Sequence, residues 1–218
     1  MKKKLKIVYI GVALVSIVSL AVAAFLAKDF LNELNLGSAL QNQPVDTGSN
    51  VILYKEPKNP TEFQKEIYRK LNEATKNYPE EYDSFELADY VVQSFVADFY
   101  TWTNKDGNFD VGGLDYVYGL NHLPFAMYAR DTFYQNFNFF EKEYGVENLI
   151  EVDSITTRVD WAVPVVIDEV EVPTYYVRAN WTYKESTKID VSEFPSTAYF
   201  IVINNPASGR FEISSTYE

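Results

Sequence analysis

The spacing of apolar residues changes its period near Gly145, and this change constrains the fold more than any other feature of the chain. Before it, apolar residues recur every three or four positions, as Leu87, Val91 and Phe95 do. After it they alternate, as in residues 175–183, where every second residue is apolar. The first period belongs to helices and the second to half-buried strands. The sequence therefore predicts helices followed by a sheet, which is an α+β domain.

Three helices are predicted before Gly145. The first opens at residues 60–61 and ends near residues 77–79, the second begins with Ser84 as its cap, and the third runs from Pro124 to Tyr144. The second has an apolar stripe wide enough to be buried on most of its circumference. That stripe consists of Leu87, Val91, Val92, Phe95, Val96, Phe99 and Trp102.

Four strands are predicted after Gly145, in residues 149–161, 175–183, 197–204 and 210–217. No helical pattern separates them, so neighbouring strands are expected to pair antiparallel as a meander. We expect the three helices to pack on one concave face of this curved sheet.

The N-terminus combines basic residues with a long uncharged segment. Four lysines fall within the first six residues, and residues 7–27 carry no charge. A helix of this length spans about 30 Å, the thickness of a hydrocarbon core, and lysines before it favour a cytoplasmic N-terminus. The alternative is a cleaved signal peptide, with Ala21, Val22 and Ala23 as the cleavage motif. Both interpretations place the rest of the chain outside the cytoplasm.

These features divide the chain into a cytoplasmic tail (1–6), a transmembrane helix or signal peptide (7–27), a linker or stalk (28–59) and an extracytoplasmic domain (60–218). The linker assignment depends on the polar, Gly- and Pro-bearing composition of residues 35–50, while residues 51–54 are apolar enough to pack back onto the domain. We expect a single-pass protein of the cell membrane with an extracellular C-terminal domain, or a secreted protein if the signal is cleaved.

Composition excludes several functions. The chain has no cysteine, which excludes disulfides, Cys-ligated metals and thiol catalysis. All 31 acidic residues follow Lys28, whereas five of the 19 lysines and arginines lie within residues 1–28, so the remainder has a net charge of about −17. Such a surface repels phosphates, and direct nucleic-acid binding is not expected.

Three segments resemble the VirB8-like components of type IV secretion systems, which serve conjugative DNA transfer. Residues 88–102 (ADYVVQSFVADFYTW) resemble the buried helix of that family. Residues 114–117 (LDYV), followed by Pro124 and Tyr128, resemble its step into the next helix. Residues 205–211 (NPASGRF) are similar to its Asn-Pro-x-Gly-Phe turn. The order of helices and strands also resembles the NTF2-like cone on which these proteins are built.

The chain departs from the family pattern at two places. Asp98 and Phe99 stand where the family usually has an Arg-Glu pair, and the terminal turn is two residues longer, with Ser208 and Arg210 placed around Gly209.

The resemblance implies a membrane-anchored scaffold subunit of a conjugative secretion channel rather than an enzyme. It implies no catalytic residue, cofactor or metal. The expected partners are the membrane, other channel subunits and further copies of the same chain. The turn would supply an interaction motif, made of Asn205, Pro206, Gly209 and Phe211.

An alternative function is also open. NTF2-like cones can house small-ligand-binding or isomerase- and dehydratase-type sites, in which an Asp base works with Tyr donors in an apolar pocket. Asp89, Tyr90, Asp98 and Tyr100 are the residues that could supply such a set. Asp98 lies among aromatic residues, but we expect it on the helix surface.

Two further motifs are interpreted as structural. Residues 106–110 (DGNFD) have the opening of a calcium-binding loop, but Val111 and Val117 replace the Gly and Glu that such a loop requires, so a polar loop is expected. His122 is the only histidine, and a lone histidine before a helix is expected to make a local hydrogen bond rather than serve in catalysis or metal binding.

Overall fold

Reciprocal side-chain caps start the two longest helices. The computed structural model describes residues 54–217 apart from residues 168 and 187. In it α1 (Glu62–Lys76) follows the cap Thr61, as predicted. Helix α2 (Ser84–Phe99) is capped by Asp83, so the predicted cap Ser84 is wrong by one residue. The carboxylate of Asp83 accepts two backbone N–H groups of the first turn, and the Glu86 side chain bonds back to the Asp83 N–H.

The single helix predicted from Pro124 to Tyr144 is two helices, α3 (His122–Asp131) and α4 (Phe137–Tyr144). The break follows Thr132, whose hydroxyl donates to the carbonyl of Tyr128 at 2.7 Å and whose backbone leaves the helical region. A threonine that bonds back in this way weakens a helix. The turn after it directs Tyr134 into the core, where the side chain is fully buried.

The predicted four-stranded antiparallel meander is confirmed. Its strands are β1 (Val152–Trp161), β4 (Thr174–Tyr183), β5 (Thr197–Asn205) and β6 (Arg210–Tyr217). They pair antiparallel in the order β1-β4-β5-β6. Burial alternates along β4 as its sequence predicts, with every second side chain facing the core.

A short hairpin that the sequence did not predict is inserted between β1 and β4. It consists of β2 (Val165–Ile167) and β3 (Val170–Val172), and the chain reverses at Glu169, where φ is +67°. Pro164 and Pro173 flank the hairpin. Proline is unfavourable inside a strand. Here Pro164 precedes β2 and Pro173 follows β3, so neither proline interrupts the pairing of the hairpin.

Helix α2 fills the inner face of the main sheet. It contacts all four strands. Its predicted apolar stripe is buried throughout, but the helix ends at Phe99, so Trp102 of that stripe is buried from the loop after the helix. Helix α1 packs against α2. The result is an α+β domain with its helices on an antiparallel sheet, an arrangement compatible with a cone-like fold.

The folded domain begins before residue 60. Tyr54 is 2% exposed, and its hydroxyl donates to the carbonyl of Phe211 at 2.6 Å, so at least this end of the predicted linker packs on the domain, as its apolar character suggested. The predicted membrane span, residues 7–27, and the motif at residues 21–23 lie outside the described residues. Among the residues that are described, no helix has the length and hydropathy needed to cross a membrane.

Candidate interaction surface

Aromatic side chains fill the space between the helices and the sheet. Phe99 stacks on Phe133 and meets the edges of Tyr100 and Tyr134, with ring centroids 4.8–5.5 Å apart. Tyr100 in turn packs on Trp181 of β4 at 4.2 Å. Rings at these distances and angles pack favourably and exclude water. The space between the helices and the main sheet is therefore packed with aromatic side chains.

Asp98 is buried rather than on the helix surface, so the expectation for this residue is wrong. One carboxylate oxygen lies 2.5 Å from Nζ of Lys105, and the other accepts the N–H of Gly113 at 2.6 Å. The Lys105 side chain is 4% exposed. Both oxygens are thus engaged with the loop that follows α2, and they are not directed toward a cavity.

The residues proposed for an acid–base site do not converge. Asp89 lies nine residues before Asp98 in α2, about 14 Å along the helix axis, and its carboxylate accepts hydrogen bonds from Thr157 and Gln93. Burial raises the pKa of the Asp89 carboxyl, although the bonds from Thr157 and Gln93 oppose the shift. Tyr100 is packed among aromatic rings.

A concavity of about 460 Å³ lies along α1, and none of its lining residues comes from α2 or the main sheet. It is open and lined mostly by charged and polar side chains of both signs. The lining residues are Glu56, Lys65, Tyr68, Arg69, Asn72, Glu73, Lys76 and Asn77. Arg69 and Glu73 pair with each other at 3.0 Å. Tyr68 is the only aromatic or aliphatic residue in this lining, whereas small-molecule sites are lined mainly by hydrophobic and aromatic side chains.

The two remaining polar motifs have structural partners. In the 106–110 loop, Asp110 accepts the backbone N–H of Asp106 at 3.0 Å, and Asp106 pairs with Lys58. No cluster of His, Asp and Glu suited to a metal ion occurs among the described residues. His122 is the first residue of α3, and its Nε2 lies 2.7 Å from the carbonyl oxygen of Val117. It makes the local hydrogen bond that was expected.

The Asn-Pro turn is divided between the core and the surface. The Asn205 amide donates to Glu212 at 2.7 Å, its oxygen accepts the N–H of Ala207, and Phe211 is buried. Pro206 and Gly209 are exposed, and Gly209 has φ +68°. Of the four predicted interaction residues, therefore, two hold the β5–β6 connection and two form its exposed tip.

A polar network joins this turn to the start of the domain. The Arg210 guanidinium donates to the backbone carbonyl and the carboxylate of Asp115, at 2.6 and 3.0 Å, and lies 4.2 Å from the ring centroid of Tyr54. Tyr54 is the first residue that the structure describes. The network thus places the turn beside the point at which the preceding chain enters the domain.

The β2–β3 hairpin and the end of β1 expose apolar side chains. Val163 is 83% exposed, Val166 is 71% exposed, and Trp161 is 54% exposed. Together with Val165 and Val170 they make up what we call the valine hairpin, in which Val165 and Val170 lie on one face and Val166 on the other. The sequence analysis did not predict it, although residues 165–167 and 170–172 are rich in the β-branched residues that favour strands. Clustered exposed apolar residues mark sites of association.

A second exposed apolar group lies at the start of α3. Leu120, Leu123, Met127 and Tyr128 are each at least 45% exposed. Leu120, Leu123 and Met127 follow one another at helical spacing, so this side of α3 presents an apolar stripe to solvent.

The main sheet ends at β1 on one side. Within the described residues this strand pairs only with β4, whereas β6, at the other end, has Val117 and Tyr118 bonded against it through Ile213. An uncovered edge strand offers backbone groups to another chain.

No family model, curated protein or solved structure matches this chain.

Proposed function

We propose that this protein is a membrane-anchored scaffold, with an NTF2-like cone that works through protein–protein contacts as a VirB8-like subunit of a conjugative type IV secretion channel. The observation that supports the scaffold role is the contrast between the interior of the cone and its exposed surface. Its interior is filled by aromatic rings, while large apolar side chains are exposed at the valine hairpin and at α3. Aromatic rings leave a ligand little room, whereas exposed apolar patches gain free energy when a partner covers them.

The alternative, a small-ligand or isomerase-type site, depended on a cone pocket with converging polar groups such as Asp98. That carboxylate is engaged by Lys105 and Gly113. The concavity of about 460 Å³ lies along α1 and is lined by mixed charges. These observations favour the scaffold over the alternative.

The secretion role follows from the resemblance of three segments and from the expected topology of a basic tail, one span and an external domain. The Asn-Pro turn adds a positional argument. It lies beside Tyr54, to which Arg210 connects it, so a partner that touched Pro206 would also contact the region where the stalk enters the domain.

Copurification tests the proposal. The full-length chain, tagged at its C-terminus and extracted from donor cells in detergent, is expected to bring down other channel subunits, and its deletion is expected to abolish DNA transfer. The variant Val163→Ser/Val166→Ser should reduce copurification and transfer about tenfold, because two exposed apolar contacts are lost.

Glu171→Gln is the matched control for this variant. Glu171 lies opposite Val166 in the same hairpin and is exposed, so the change removes a charge without removing apolar area. Copurification should persist in this control. Transfer that continues without the gene, or a tagged chain that brings down no channel subunit, argues against the secretion role.

A further inference from the structure

The outer edge of β1 has a row of backbone groups that face away from the sheet. The N–H of Ala162, the residue that follows β1, bonds to the carbonyl of Thr174, the first residue of β4. Antiparallel partners alternate between hydrogen-bonded and non-hydrogen-bonded pairs. In the observed register the even-numbered residues of β1 therefore bond to β4. The N–H and C=O groups of residues 155, 157, 159 and 161 point to the open edge.

The exposed charges on this strand are self-complementary. Arg158 and Asp160 are both exposed on the outer face of the sheet, two positions apart. If a second copy of β1 pairs antiparallel so that Val159 faces the partner's Val159, each Arg158 lies opposite the partner's Asp160. Opposite charges that face each other across strands stabilise the pairing.

Charge selects this register from the alternatives. Only registers that place odd-numbered residues opposite odd-numbered residues satisfy the edge groups. A shift of the two-fold axis to Arg158 brings that residue opposite the partner's Arg158, and a shift to Asp160 brings that carboxylate opposite the partner's Asp160. Like charges placed directly opposite are destabilising. The register centred on Val159 forms two opposite-charge pairs and about six backbone hydrogen bonds, two for each of three bonded pairs.

The neighbouring strand strengthens the argument. Arg158 already lies opposite Arg178 of β4, so two guanidinium groups share the outer face. Within one copy, Asp160 is 3.2 Å from Arg158, but both side chains are more than half exposed, and such surface pairs contribute little. Replacing the Arg158–Asp160 contact within one copy by a contact with the partner's Asp160 therefore costs little free energy.

We propose that two copies of this chain associate through antiparallel pairing of their β1 strands about Val159, which joins their four-stranded sheets into one. Trp161, which is 54% exposed, comes opposite the partner's Thr157 and is covered. The inference specifies how the proposed scaffold self-associates, but it does not depend on the secretion role.

Cross-linking of the full-length chain in detergent tests the register. The chain has no cysteine, so a single introduced cysteine reports one position. The Cα atoms of a hydrogen-bonded pair are about 5.5 Å apart, within disulfide range, so Val159→Cys should form a covalent dimer on mild oxidation. Thr156→Cys, three residues from the axis on the same strand, would be about 20 Å from its copy and should stay monomeric.

Charge reversal tests the specificity, with dimer dissociation measured by sedimentation. Arg158→Asp alone and Asp160→Arg alone should each weaken the dimer about tenfold, since each places two like-charge pairs across the interface. The double variant Arg158→Asp/Asp160→Arg should restore it. A mixture of the two single variants should form heterodimers, because a strand with two carboxylates at these positions then faces a strand with two guanidinium groups. Both positions are exposed, so these variants keep the fold.

These experiments distinguish failure of the proposed dimer from failure of the secretion role. Absence of a Val159→Cys dimer together with monomeric sedimentation, equal cross-linking at position 156, or indifference to charge reversal would each overturn the proposal. Copurification of channel subunits is scored separately. A chain that dimerises without recruiting them keeps this inference and loses the secretion role, and a chain that recruits them as a monomer does the reverse.

Discussion

The carboxylate of Asp98 and the ammonium of Lys105 form an ion pair at 2.5 Å, seven residues apart and almost fully removed from solvent. The second Asp98 oxygen accepts the N–H of Gly113. The side chain of Asp98, at the end of α2, therefore bonds to the following loop at two points, Lys105 and Gly113. That loop leads to α3, which carries one of the two exposed apolar surfaces. The buried Asp98–Lys105 pair therefore fixes, on the core, the loop that leads to the exposed apolar side of α3.

Asp98→Asn is expected to destabilise the domain by about 3–5 kcal/mol, since it leaves the Lys105 charge buried without an anion. Asparagine retains an oxygen for the Gly113 N–H, so the loss reports mainly on the charge. Urea unfolding of the detergent-solubilised chain, followed by tryptophan fluorescence, measures it.

The control is the double variant Asp98→Asn/Lys105→Met, which removes both charges. It should be more stable than Asp98→Asn alone, because replacement of both members of a buried pair is close to neutral. Equal stability of the single and double variants would mean that the uncompensated Lys105 charge is not the source of the loss.

Much of the fold could be predicted because most of its signals are local. The apolar stripe of α2 and the alternation in β4 come from periods of 3.6 and 2, which depend only on each element's own sequence. The break at Thr132 could not be predicted, since it depends on the burial of Tyr134 in a core built from the rest of the chain. The β2–β3 hairpin was not predicted because each of its strands has only three residues, too few for a period to be read.

The exposed apolar surfaces were less predictable, because their signals are not local. Periodicity identifies which residues share a face, but not which faces are left uncovered after packing. Asp98 was expected on a helix surface because carboxylates are rarely buried, and its buried partner Lys105 lies on a loop with no periodic signal. The predicted meander already places its first and last strands at the edges of the sheet, but it does not tell that Val117 and Tyr118 bond along β6 while β1 pairs only with β4 among the described residues.

Gly113→Ala and Gly209→Ala separate steric clash from backbone strain. Both glycines have positive φ, +78° and +68°, so both variants lose about 1–2 kcal/mol from the left-handed conformation. A Cβ at Gly113 would lie 2.7 Å from Cδ2 of the buried Phe95, whereas a Cβ at Gly209 meets open space. Gly113→Ala should thus lose about 1–3 kcal/mol more in thermal or urea unfolding. Equal losses would show that the Phe95 ring moves aside freely.

Tyr134→Phe and Tyr116→Phe compare a bonded with an unbonded buried hydroxyl. The Tyr134 hydroxyl donates to the Phe99 carbonyl at 2.6 Å and accepts the Gly112 N–H at 3.2 Å. Its removal leaves two buried backbone groups unpaired and should cost about 1–3 kcal/mol. The buried Tyr116 hydroxyl has no hydrogen-bond partner among the described residues, so Tyr116→Phe should be neutral or stabilising in the same unfolding assay. The reverse order of stabilities would contradict this assignment of bonds.

Buried tyrosines make the domain sensitive to alkali. Burial raises the pKa of the Tyr54, Tyr116, Tyr134 and Tyr183 hydroxyls above the ordinary value. The unfolded chain then loses these protons first, so the stability is complete below pH about 10 and falls as pH rises toward the folded-state values. One pH unit above the unfolded pKa, each such tyrosine removes about 1.4 kcal/mol. Urea unfolding between pH about 8 and 11 should therefore show a steep decline in the free energy of unfolding.

The destabilisation caused by Tyr134→Phe should shrink over the same interval, because phenylalanine has no proton to lose. A difference between variant and parent that stayed constant with pH would mean that Tyr134 does not contribute to the alkaline loss.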